Sequence, residues 1–143
     1  MEIKLSDLEK WKENTLITAK NMRFDKNILN YLENTKLNIL NGDSGKLFYG
    51  WAIYNPSENF PIIEVYQSNP SKYLPKKLKE IWNQSGMDHE LLGHHYGRIK
   101  DNDGFENYAR KTQIKVANFR GKDSNLWKLA SKTLPILFNL KTQ

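Results

Sequence analysis

The sequence predicts an α+β fold: a small antiparallel or mixed three-stranded sheet, entered through one or two helices and followed by a histidine-bearing helix and C-terminal helices. Two observations predict it. Between residues 35 and 67, apolar positions alternate with polar ones or form short aromatic runs bounded by turn residues, the period of strands. From Pro75 onward they recur at three- and four-residue steps, the period of helices. No repeat, low-complexity tract or Pro/Gly/Ser linker divides the 143 residues, so one domain spanning 1–143 is expected.

The elements follow in order. Ser6-Asp7-Leu8-Glu9 reads as the start of a short helix, and a second runs from Lys26 to Glu33 with Ile28, Leu29 and Leu32 on one side. Thr35 to Leu40 alternates Leu37 and Ile39 with Lys36 and Asn38, a half-buried strand, and residues 41–45 (NGDSG) make a turn tolerant of positive φ. Leu47 to Tyr54 is the clearest strand, apolar at nearly every position and therefore central. Pro61 to Gln67 alternates behind a proline that cannot donate a ladder bond, which fits an edge strand closing a meander. Pro75 then opens a helical stretch to Tyr96, either one long helix or two meeting near Ser85-Gly86, with Leu78, Ile81, Trp82, Ser85, His89 and Leu92 inward. A loop over Gly97 to Asn102 leads to a capping-box-like Asp103-Gly104-Phe105-Glu106. The helix behind it, to Phe119, should turn Phe105, Tyr108, Ala109, Thr112, Val116 and Phe119 inward. Ser124 opens a last helix that Pro135 kinks or ends.

Composition narrows the function. The absence of cysteine excludes thiolate zinc fingers, thiol nucleophiles, iron–sulfur clusters and disulfides, so any metal site must use His, Asp and Glu. The first twenty residues carry charges throughout, with no apolar core of a signal peptide, and Leu134 to Phe138 is far short of the ~20 residues of a membrane span. A cytoplasmic protein without a membrane partner is expected. Charge is uneven: residues 1–97 hold 12 basic and 12 acidic side chains, and residues 98–143 hold 10 basic and 4 acidic, so the net +6 lies in the last third. That asymmetry could serve a non-enzymatic basic adaptor binding nucleic acid or an acidic protein. The simpler expectation is that the lysines line the wet faces of amphipathic helices, because no nucleic-acid-binding motif accompanies them.

All three histidines fall within seven residues, in Met87-Asp88-His89-Glu90-Leu91-Leu92-Gly93-His94-His95-Tyr96-Gly97. Two imidazoles bracketing a glutamate on a helix are how zinc hydrolases place two nitrogen ligands and a base beside an activated water. The usual spacing is four residues; here it is five, which in a regular α-helix leaves the rings about 140° apart. A π-type bulge would bring His89 and His94 back to one face, and Gly93 within that turn eases the distortion.

The run His89-Glu90-Leu91-Leu92-Gly93-His94 resembles the extended zinc motif of the dipeptidyl peptidase III family, within the wider zincin metallopeptidases. The resemblance covers six residues and their apolar flanks. It implies a zinc ion (Zn2+) on His89 and His94, Glu90 as general base, a peptide or protein substrate, and a zincin-like layout in which an edge strand binds substrate and the following helix supplies a glutamate ligand. Glu106-Asn107-Tyr108-Ala109 is similar to the Glu-x-x-Ala turn of glutamate-type zincins, making Glu106 the expected third ligand, with Asp101, Asp103 and His95 as alternatives. Glu106 would equally suit a helix-capping box, which needs no metal. Tyr96, Tyr108 or His95 could stabilise an oxyanion, and the sequence does not choose among them. The expected activity is therefore that of a small zinc-dependent metallopeptidase.

Overall fold

Two helices, a strand pair and one long helical rod precede a final helix in the computed structural model, which describes residues 2–43, 61–68 and 70–121, together with Asn125 and Lys128. The predicted strand Leu47 to Tyr54 lies outside the described residues, as does the predicted last helix apart from those two helical positions.

Helix α1 (Leu5–Asn21) is longer than its apolar pattern suggests. It begins where the Asp7 carboxylate accepts from the Lys4 N–H at 2.9 Å, and it buries Leu8, Trp11, Thr15 and Ala19 at helical spacing. Thr15 and Ala19 are easily passed over in a search for large apolar residues. Thr15 is inside because its hydroxyl donates to the buried Asp88 carboxylate at 2.7 Å. The turn after α1 places Arg23 at φ 63, and α2 (Lys26–Leu32) starts behind Asp25, whose Oδ1 accepts from the Asn27 and Ile28 N–H groups.

Strands β1 (Lys36–Asp43) and β2 (Ile62–Ser68) pair in parallel, Lys36 opposite Ile62 and Leu40 opposite Tyr66. The chain is thus mixed α+β and mostly helical, but among the described residues the sheet has two strands, and this pair runs parallel where a meander of three was expected. The meander reading assumed that successive strands reverse. Parallel neighbours need a crossover of a dozen or more residues, and residues 44–61 are long enough to provide one. Residues 41–43, expected in a turn, extend β1 through an irregularity between Leu40 and Asp43, where Gly42 takes φ 94. Ile63 and Val65 are buried.

After a short 3-10 turn (Pro70–Tyr73), helix α3 (Lys76–Asp88) passes without a break into a π-helical segment (His89–Tyr96) and then α4 (Gly97–Asp101). Gly86 does not interrupt it. Residues 97–101, expected as loop, are helical, and the reversal is confined to residues 102–105, opened by Asn102 in the left-handed region. Helix α5 (Glu106–Arg120) returns antiparallel against the rod. The π segment lies at the centre: Leu91, Leu92 and Tyr96 pack in one cluster with Leu8, Trp11, Leu29, Leu32, Ile63, Val65 and Val116. Among the described residues no helix is long and apolar enough to cross a membrane.

Candidate metal centre

The five-residue spacing of His89 and His94 is resolved by the backbone. A π-helix closes its hydrogen bonds at i→i+5, so two residues five apart share a face, and their rings meet edge to face with centroids 4.9 Å apart. Gly93 is required beside them for a second reason. A Cβ there would stand 2.6 Å from both the Cα and the Cβ of Ala109, so α5 could not approach as it does.

That approach brings in the third residue. His89 Nε2 lies 2.6 Å and His94 Nε2 3.2 Å from Glu106 Oε1, and the ligand atoms of all three residues fall within 4.8 Å of one another. The capping box does not form: the residue before α5 is Phe105, with no side-chain cap, and the Phe105 N–H donates to Asp103 Oδ1. The alternatives to Glu106 are engaged elsewhere. Asp101 accepts from the Tyr108 hydroxyl at 2.6 Å, and His95 Nε2 donates to the Ile62 carbonyl at 3.0 Å, tying the rod to β2. The Tyr96 hydroxyl accepts from the Asp25 N–H. Tyr96, Tyr108 and His95, the expected oxyanion candidates, thus form hydrogen bonds to Asp25, Asp101 and Ile62.

The far nitrogens of both ligand rings are held. His94 Nδ1 lies 2.6 Å from the Gly104 carbonyl, which can only accept, so Nδ1 donates there and Nε2 is the nitrogen turned toward Glu106. Gly104 makes this possible by taking φ +78 and packing where a Cβ would be 2.5 Å from the His94 carbonyl oxygen. His89 Nδ1 lies 2.8 Å from Gln113 Oε1. Gln113 and Gly104 were not legible as site residues from apolar periodicity. The available signal was Gln113's position seven residues after Glu106, two turns along the same helix face.

Electrostatics follow burial and charge. Glu90 is 6% exposed, with Oε2 3.9 Å from His94 Nε2; burial, and secondarily Glu106, push its carboxyl well above the usual range. Burial lowers the His89 imidazole. Glu106 is half exposed; its partial burial works to raise it, but the two histidines outweigh this and hold it below the usual value. One residue before His89, Asp88 is fully buried and takes a two-nitrogen contact from Arg120, with Nη2 at 2.8 Å from Oδ1. Burial raises the Asp88 carboxyl, and Arg120 and Thr15 pull it back.

Glu106, Gln113 and Arg120 thus contact the rod at seven-residue steps along α5. Phe105 and Phe119, expected inward, are 75% and 53% exposed, because the inward face of α5 is this polar seam together with Ala109, Val116 and Ala117. No protein-family model, curated protein or solved structure matches the chain.

The donor set suits a borderline-soft divalent cation. Two imidazole nitrogens and one carboxylate oxygen on one side of an accessible site are the ligand types of catalytic zinc, which keeps its fourth position open. The fit is geometric as well as compositional: His89 Nε2 and His94 Nε2 both face Glu106 Oε1, at 2.6 and 3.2 Å, and a cation would take the place of the proton that His89 shares with the carboxylate.

Proposed function

We propose that the chain is a small zinc-dependent metallopeptidase of zincin-like layout, with zinc held by His89, His94 and Glu106. The observation that carries this reading is the convergence of His89 Nε2, His94 Nε2 and Glu106 Oε1 across a π-helical turn, with the outer nitrogens of both rings engaged by Gln113 and Gly104. Zinc there would supply a Lewis acid that polarises a carbonyl and acidifies water. The chain supplies the rest. Glu90 follows His89 in the same turn, and its Oε2 lies beside His94 Nε2 without touching Glu106 through any hydrogen bond among the described residues. A carboxyl whose affinity for protons is raised by burial is suited to take a proton from water and return it to a leaving amine.

A peptide substrate is the class that the HELLGH resemblance favours. An extended backbone pairing with a strand beside the rod would hold it; β2 is tied to that rod by His95. The basic-adaptor alternative draws less support, since Arg120 pairs with Asp88, Lys100 with Asp25 at 3.6 Å, and Lys115 lies over the Phe24 ring.

Elemental analysis of protein purified without chelator, together with hydrolysis of a mixed-sequence peptide library, tests the proposal. About one zinc per chain is expected, lost in His89→Ala and in His94→Ala, with Glu90→Gln keeping zinc and losing hydrolysis. Stoichiometric zinc in both histidine variants would overturn the site. Loss of zinc in Glu90→Gln would make Glu90 a ligand rather than the base.

A further inference from the structure

We infer that Gln113 is a positioning residue that fixes which nitrogen of His89 faces the metal. The inference rests on reading the His89, His94 and Glu106 cluster as a zinc centre. A neutral imidazole carries its proton on either nitrogen, and only the other can bind a metal. For His94 the choice is made by a backbone carbonyl. For His89 the neighbour is an amide, which can donate or accept, so the ring is fixed only if the amide itself is fixed.

It is fixed by Ser85. Gln113 Nε2 lies 3.1 Å from the Ser85 carbonyl oxygen and 2.9 Å from the Ser85 hydroxyl. The carbonyl can only accept, so the NH2 end of the amide must face Ser85 and Oε1 must face the ring. Oε1 then accepts from His89 Nδ1, and Nε2 is the nitrogen left facing Glu106 Oε1, at a hydrogen-bond distance of 2.6 Å, where a metal would replace the shared proton. Each link in this relay removes one ambiguity. The relay also explains a polar residue at an inward position of α5: Gln113 stands one turn before Val116, which is fully buried, and Val or Leu at 113 would satisfy packing alone. Ser85, the anchor, is itself 2% exposed, one turn before His89 on α3. Position and orientation of the ring therefore come from two different helices.

Partners of this kind typically alter metal affinity by about 10–100-fold when removed. The discriminating substitutions are Gln113→Met, which keeps length and volume but offers the ring no oxygen, and Gln113→Glu, which gives up the donor to the Ser85 carbonyl but keeps an oxygen for the ring and a second one to which the Ser85 hydroxyl can donate. Zinc affinity is measured by competition with a chromogenic chelator, and the state of the His89 ring by nitrogen-15 NMR of the zinc-loaded protein. Wild type should show a protonated, hydrogen-bonded Nδ1 and a metal-bound Nε2. Gln113→Met should bind zinc about 10–100-fold more weakly, and Gln113→Glu should recover most of the loss. Equal zinc affinity in wild type and Gln113→Met, or equal weakening in both variants, would overturn the inference and leave the zinc centre standing. Metal bound through Nδ1 of His89 in wild type would overturn it without any variant. A wild type that takes up no zinc would instead remove the centre and the inference together.

Discussion

Glu106 opens its helix at a place where a carboxylate ordinarily turns back onto free backbone N–H groups, yet it reaches across to two imidazoles instead. The two roles differ in what an amide can replace. Gln at 106 would satisfy a cap but removes the charge that a cation needs. Structural zinc binding of about 10–16 kcal/mol, shared among four ligands, puts one ligand at roughly a hundredfold or more in affinity. Glu106→Gln is therefore expected to weaken zinc by at least about a hundredfold, whereas Asp101→Asn and Asp103→Asn leave it within a few-fold; chelator competition on the three variants reads this directly. The sequence offered Glu106 on a likeness of four residues, with Asp101, Asp103 and His95 beside it. What separated them was their partners: the Phe105 N–H and Tyr108, two and seven residues away, and Ile62, 33 residues from His95, a contact that leaves no local trace.

Between elements, the decisive contact is that of the π segment with α5 at Gly93 and Ala109. Gly93→Ala would gain up to about 1 kcal/mol in helix propensity. Against this, a methyl 2.6 Å from the Cα and Cβ of Ala109 cannot be accommodated by a side-chain rotation, and overpacking of this kind costs about 1–3 kcal/mol. Overpacking wins. Gly93→Ala should lower the melting temperature of the metal-free chain and weaken zinc as well, since the displaced helix carries Glu106; thermal melts with and without chelator check both. The π turn itself was legible, because five-residue spacing plus glycine leaves few ways for two rings to meet. The sheet was less so. Alternation marks a strand but not its direction, and the residues between β1 and β2 suffice for a return in either sense. The inward face of α5 was misjudged for a related reason: apolar periodicity finds Ala109 and Val116 but is blind to a seam of Glu106, Gln113 and Arg120 whose partners are polar.

At the scale of the molecule, the net +6 is spread over a surface on which some bases of the last third already face acids of earlier elements, Arg120 with Asp88 and Lys100 with Asp25. Binding to random-sequence nucleic acid should therefore be weak near physiological salt and fall steeply as salt rises. Fluorescence anisotropy across a salt series measures this, and submicromolar, salt-resistant binding would favour the adaptor reading. The three candidate ligands also lie close in sequence, His89 and Glu106 being 17 residues apart, whereas Thr15 reaches Asp88 across 73. Closing a short loop is entropically cheap, and local contacts form early in folding. The rod and α5 can therefore gather His89, His94 and Glu106 before α1 docks or the strands pair, which would make the proposed metal centre an event of folding as well as of the folded state. Refolding from denaturant should then run faster with zinc present than with chelator in stopped-flow fluorescence, and His94→Ala should abolish the difference.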